Sequence, residues 1–126
     1  MKRDAADKWF SDVVRAKAAY TCENCHQKGR MECCHIFGRA AKSVRWSLDN
    51  AVCMCHSCHR RYTENPLEFT NWLETYLGKG HLEILREKWN VKMQTNKALR
   101  SEISKHYREE FKKMERDELY QPISYN

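Results

Sequence analysis

Long apolar runs are missing from this 126-residue chain, and no stretch is long enough to span a bilayer as a helix. Nor does an apolar run of signal-peptide length open it: Met1-Lys2-Arg3-Asp4 leads into a charged, helical-looking segment. Glycine (4) and proline (2) are scarce, and no low-complexity tract occurs. No Gly-rich loop of the kind that cradles nucleotide phosphates is present, so no energy cofactor is expected. Cysteine is plentiful, but its count of 7 is odd, which rules out full disulfide pairing within one chain. With no export signal, the cysteines read as reduced, metal-binding thiols of a cytoplasmic protein.

One domain with an appended helical segment suits this length. The hydrophobic fraction, 41%, supports a modest core, and a small chain with 32% charged residues gains from a metal staple. The net charge of +6 is uneven. Residues 1–65 hold 12 Lys/Arg against 7 Asp/Glu, whereas residues 66–126 hold 11 against 10. Within 27–61, Lys28, Arg30, Arg39, Lys42, Arg45, Arg60 and Arg61 face only Glu32 and Asp49. A field of this sign suits nucleic-acid phosphates.

Two Cys-x-x-Cys-His runs carry the strongest signal: Cys22-Glu23-Asn24-Cys25-His26 and Cys55-His56-Ser57-Cys58-His59. Zinc takes a tetrahedral shell of thiolates, and one tight Cys-x-x-Cys turn supplies two of them. Cys22, Cys25, Cys55 and Cys58 are therefore expected to close one structural site. The 29 residues between Cys25 and Cys55 must form a structure of their own, and they contain His35 and Asn50. A c-type haem reading, which both runs permit, requires export and leaves His35, Asn50 and the basic residues without a purpose. Cys33 and Cys53 read as small buried strand residues.

Helical spacing of Trp9, Phe10, Val13, Val14 and Ala18 predicts a helix from Asp4 to about Ala19. Residues 31–37 have strand character, 38–47 form a basic loop, and 50–54 return as a second strand. A short helix starts near Cys55–His59. Pro66 opens another, over 67–77, ended by Gly78 and Gly80. Residues 81–89 form a further helix and 92–118 a long one, striped with Leu99, Ile103, Tyr107, Phe111 and Met114; residues 118–126 are a tail. That stripe can be covered by the chain's own domain or by a second copy in a homodimer. Trp46, Trp72, Tyr76, Trp89, Ile103 and Phe111 read as packing residues.

The order Cys-x-x-Cys, His, Asp-Asn, Cys-x-x-Cys-His resembles the HNH endonucleases, the ββα-metal or His-Me finger group. It is most similar to the NinG/Rap-type phage recombination nucleases. Trp9-Phe10-Ser11-Asp12-Val13-Val14-Arg15, Cys34-His35-Ile36-Phe37-Gly38-Arg39, Val44-Arg45-Trp46-Ser47-Leu48-Asp49-Asn50 and Cys55-His56-Ser57-Cys58-His59-Arg60-Arg61 carry the likeness, which spans about residues 8–80. It implies an α+β fold. An N-terminal helix (1–20) would precede a zinc-stapled HNH core (21–65), and a helical extension (66–126) would follow. It implies metal-dependent hydrolysis of DNA phosphodiesters, on branched or single-strand-bearing DNA, by a phage-encoded protein in a bacterial host.

By the same resemblance, His35 is the general base, Asn50 orients His35 or holds the loop between the strands, and His59 binds a catalytic Mg²⁺ or Mn²⁺. Arg39 and Arg45 are the expected phosphate contacts, with Lys42, Arg60 and Arg61 beside them. One position departs from the family. Cys34 stands where Asp or His commonly supplies a second ligand, and a thiolate suits zinc better than Mg²⁺. Either His59 holds the ion with phosphate and water, or Cys34 selects a softer metal, or the centre is dead; Glu32 is near enough on the strand to help. The dead-centre case leaves a zinc-stapled nucleic-acid-binding module with a decayed nuclease centre as the alternative function.

Overall fold

The computed structural model describes residues 2–126 and has an α+β fold of five helices and one two-stranded sheet. The first helix, α1 (Ala5–Lys17), starts at a reciprocal cap. Asp4 Oδ1 accepts from the Asp7 N–H and Asp7 Oδ2 from the Asp4 N–H, both at 3.0 Å, satisfying two donors that have no intrahelical partner. Ala6, Phe10, Val13 and Val14 form its buried stripe. The helix ends where Ala19 and Tyr20 turn left-handed, at φ 53° and 54°.

A cysteine knuckle follows, tied to the sheet from both sides. The Glu23 N–H donates to the Cys53 carbonyl at 2.8 Å, and the Glu23 carboxylate accepts from the Cys53 N–H. Strand β1 (Glu32–His35) pairs antiparallel with β2 (Ala51–Met54), in a register that sets Cys34 opposite Val52 and His35 opposite Ala51. The loop between them re-enters through a single 3-10 turn, Leu48–Asn50. Helix α2 (His56–Glu64) leaves β2 directly, and α3 (Pro66–Tyr76), with Pro66 in its first turn, and α4 (Lys79–Asn90) pack after it. None of these helices is long and apolar enough to cross a membrane among the described residues.

The last helix, α5 (Lys97–Arg116), lies along α1. Phe10 meets Tyr107 edge to face, with centroids 5.1 Å apart, and Trp9 meets Phe111 at 5.9 Å. Ile103 and Tyr107 belong to the same buried cluster as Phe10, Trp46, Val52 and Met54. The apolar stripe of the long helix thus packs within its own chain, and that helix is part of the core rather than an appendage to it.

The tail is also tied down. The Glu110 carboxylate accepts from the Ile123 N–H at 2.8 Å and the Tyr120 hydroxyl at 2.7 Å. Ser124 Oγ accepts from the Leu48 N–H at 3.0 Å. The Asn126 amide donates to the Ser43 carbonyl at 2.9 Å, so residues 118–126 brace the back of the inter-strand loop.

Candidate metal centre and catalytic cavity

Cys22, Cys25, Cys55 and Cys58 come together with all four sulfur atoms within 4.8 Å of one another. Cys25 Sγ and Cys55 Sγ are 3.8 Å apart. A tetrahedron of sulfurs about 2.3 Å from zinc has an edge of about 3.8 Å, so the set has the dimensions of a closed four-thiolate shell. All seven cysteines are unbridged.

The protonation pattern also fits a cation. Burial opposes ionisation of Cys22, but backbone N–H groups of Cys25, Cys55 and Asn24 bring its thiol down to about 7. Burial pushes Cys58 up to about 12, although the Asn24 amide donates to its sulfur at 3.3 Å. Four thiolates this close disfavour one another until a cation neutralises them. Asn24 is itself held, because the Tyr62 hydroxyl donates to its Oδ1 at 3.1 Å. The knuckle and α2 are therefore joined by an outer layer of hydrogen bonds as well as by the thiols.

On the flank of the sheet against α1 lies a cavity of about 560 Å³. Its lining includes His35 from β1, His59 from α2 and Arg39 from the loop, so three residues expected to act together share one space. His35 is half-buried beside Phe10, with ring centroids 5.6 Å apart. Its Nε2 is 3.1 Å from the Arg45 carbonyl oxygen. A carbonyl only accepts, so Nε2 carries the proton and Nδ1 keeps the lone pair. Burial holds His35 below the usual imidazole value, against the opposing effects of that hydrogen bond and the Asp7 charge. A neutral imidazole with one fixed proton is the form a general base requires.

His59 Nδ1 is 2.8 Å from one oxygen of Glu32, whose other oxygen is 3.0 Å from His56 Nδ1. Burial raises the Glu32 carboxyl, but the hydrogen bonds from His59 and His56 prevail and hold it below the usual carboxylate range. An ionised carboxylate only accepts, so the His59 proton sits on Nδ1 and Nε2 is left with the lone pair a metal would need. A carboxylate behind a ligating histidine is the usual outer partner of a bound metal.

Asn50 is fully buried and does not hydrogen-bond His35. Its Oδ1 accepts from the Phe37 N–H at 2.8 Å and its Nδ2 donates to the Phe37 carbonyl at 2.9 Å. Of its two expected roles it performs the second, clamping the loop two residues beyond His35.

Cys34 is corrected as a ligand for a catalytic ion. Cys34 does not line the cavity that holds His35. Cys34 is 4% exposed and packs in the core, where burial pushes its thiol up to about 12. Glu32, Cys33 and His35 of the same strand line the cavity instead, while Cys53 is fully buried as expected.

Arg45 is corrected as a phosphate contact. It is 4% exposed; its Nε donates to Asp7 Oδ1 at 2.9 Å and its Nη2 to Asp7 Oδ2. Asp7 also accepts from the Trp46 indole N–H at 3.1 Å. Arg60 and Arg61 stand outside the cavity, paired with Glu64 and Glu68 on the exposed side of α2 and α3. Lys42 lines a separate groove.

The cavity wall contributed by α1 escaped the sequence reading. Asp7, Ser11 and Arg15 line it at intervals of four residues on one face of α1, and Arg3, just before the helix, extends the row. The four-residue spacing of these polar side chains was the available signal. Arg15 pairs with Asp12, yet its buried Nε has no hydrogen-bond partner among the described residues. Comparison with known proteins finds no family model that matches the chain, and no curated protein or solved structure that does so.

Proposed function

We propose that this protein is an HNH-type endonuclease, a metal-dependent hydrolase of DNA phosphodiester bonds built on a zinc-stapled ββα core. The observation that carries the reading is the shared cavity of His35 and His59, walled by Arg3, Arg15 and Arg39. It offers a neutral imidazole, a second imidazole backed by a carboxylate, and three guanidinium groups around one space. A phosphodiester supplies the anion that such a wall attracts.

His35 takes the proton of the attacking water on Nδ1, while the Arg45 carbonyl keeps the other ring nitrogen protonated and the ring in place. Asn50 keeps the loop that carries Arg39 against the strand ends. His59 would hold a divalent cation through Nε2, and Glu32 fixes the ring that does so. Bound there, Mg²⁺ or Mn²⁺ would supply charge stabilisation at the phosphate and the leaving oxygen. The four-thiolate site serves as structure: it pins Cys58, the residue before His59, and leaves no coordination position for substrate.

A second reading is a zinc-stapled nucleic-acid-binding module without cleavage. It is favoured by one observation: among the described residues, only the four-cysteine set gathers three or more metal-ligating side chains. A nicking assay on supercoiled plasmid, with zinc-loaded protein and Mg²⁺, Mn²⁺, Ni²⁺ or Zn²⁺, separates the two. Cleavage that vanishes in His35→Ala is the expected result. A folded, zinc-loaded protein that cuts no duplex, single-stranded or branched DNA with any of these ions leaves the binding module.

A further inference from the structure

We propose that the groove between loop residues 40–43 and the C-terminal end of α4 with the residues after it is a stacking site for an unpaired DNA base, with Trp89 as its platform. The identity of the polymer rests on the nuclease reading; the choice of an unpaired base rests on the groove. Trp89 was expected to be a packing residue, yet it is 44% exposed. It is nevertheless held firmly. Its ring lies face to face with Phe37, with centroids 4.8 Å apart and planes within 2° of parallel. Phe37 is the residue whose backbone Asn50 grips from both sides. The Ser43 hydroxyl adds a bond to the Trp89 carbonyl at 3.3 Å. A large aromatic ring is thus held at the surface against Phe37, two residues beyond His35.

The groove, about 480 Å³, runs between Ala40–Ser43 on one side and Trp89–Gln94 on the other. The small side chains of Ala40 and Ala41 leave room beside the indole. Lys42 and Lys92 supply positive charge on its two walls. An aromatic face flanked by cations is the chemistry that binds single-stranded nucleic acid: the base stacks and the phosphates meet the lysines. A base inside a duplex has both faces covered by its neighbours, so only an unpaired one fits. The loop also joins groove to cavity. Gly38 and Arg39 line the space that holds His35, and the next residue, Ala40, begins the groove. A strand following the loop passes from the scissile position onto Trp89.

The test is fluorescence anisotropy of the zinc-loaded full chain without added Mg²⁺. The probes are a fully paired duplex and the same duplex carrying a single-stranded overhang. Trp89→Ala should weaken binding of the overhang DNA about tenfold and leave the duplex unchanged, while Trp89→Phe should retain most of the affinity. A 2-aminopurine base in the overhang should be quenched by the wild-type protein, which tests stacking without any variant. No quenching, or an equal loss on both DNAs in Trp89→Ala, overturns the proposal. A wild-type protein that cleaves nothing but keeps the Trp89-dependent preference removes the nuclease reading and upholds the stacking site. Cleavage by the wild type, with Trp89→Ala binding both DNAs as wild type does, removes the stacking site alone.

Discussion

Arg45 lays its guanidinium edge against the Asp7 carboxylate, Nε to Oδ1 at 2.9 Å, and both side chains are 4% exposed. The pair joins α1 to a loop 38 residues later. It also orients His35, because the carbonyl of the same Arg45 holds His35 Nε2. Burial raises the Asp7 carboxyl, but hydrogen bonds from Arg45 and from the Asp4 backbone, with the Arg45 charge, hold it below the usual carboxylate range.

Asp7→Ala should therefore destabilise the fold strongly, by about 3–5 kcal/mol, because a buried guanidinium loses its counter-charge. Urea denaturation of the zinc-loaded protein measures this. The linkage has a definite sign. A carboxyl whose folded value is depressed contributes stability above its unfolded value and loses it as pH falls through the folded one. The wild-type protein should accordingly lose stability on acidification by more than Asp7→Ala does. An unchanged denaturation midpoint in Asp7→Ala contradicts the assigned role.

Protein purified without chelator should contain one zinc per chain. Removing it should abolish the cooperative fold, since binding and folding of such sites are coupled. Cys22→Ser and Cys58→Ser should each lose zinc and the far-ultraviolet signature of the helices. Cys34→Ser should keep its zinc, because Cys34 lies in the core away from the four-sulfur set. Metal analysis with circular dichroism decides both points; full zinc content in Cys22→Ser is the damaging outcome.

His35→Ala should lower the cleavage rate about 10²–10⁴-fold while zinc content, fold and DNA affinity persist. Because burial depresses the His35 value, the base stays neutral through ordinary assay conditions. Cleavage by wild type should fall only on the acid side, with a midpoint below about 6.5, the unperturbed imidazole value. A pH–rate profile at saturating cation reads this directly. A midpoint above that value, or a His35→Ala variant as fast as wild type, removes His35 from the reaction.

Glu32→Ala should raise the Mg²⁺ or Mn²⁺ concentration needed for half-maximal cleavage about 10–100-fold, the usual cost of losing the carboxylate behind a ligating histidine. Saturating cation should restore much of the rate. His59→Ala should show a larger defect of the same kind. A Glu32→Ala variant with an unchanged cation requirement and a lowered maximal rate assigns Glu32 to some other task.

Much of the core was legible because its signals are local. Cys-x-x-Cys supplies two ligands from one turn, so the metal partners of Cys22 and Cys25 were readable without a fold. Periodicity placed Phe10, Val13 and Val14 on one side of α1 and Ile103 and Tyr107 on one side of α5. The residue types of His35 and His59, set around the zinc knuckles, marked them as a pair.

What only the tertiary structure decided are pairings across long stretches of chain. Arg45 and Arg39 look alike in sequence, but Asp7 buries the first and leaves the second at the cavity wall, 34% exposed and 3.9 Å from the same carboxylate. Arg15 becomes a cavity residue because the apolar stripe of α1 packs against α5 and leaves its polar row on the cavity side. Trp89 reaches Phe37 across 52 residues and so becomes a platform instead of core. Ligand spacing and helical or strand period depend on neighbours a few residues apart, which a sequence states outright. The partner of a charge or an aromatic face depends on which elements pack together, and that is settled by burial of the whole core.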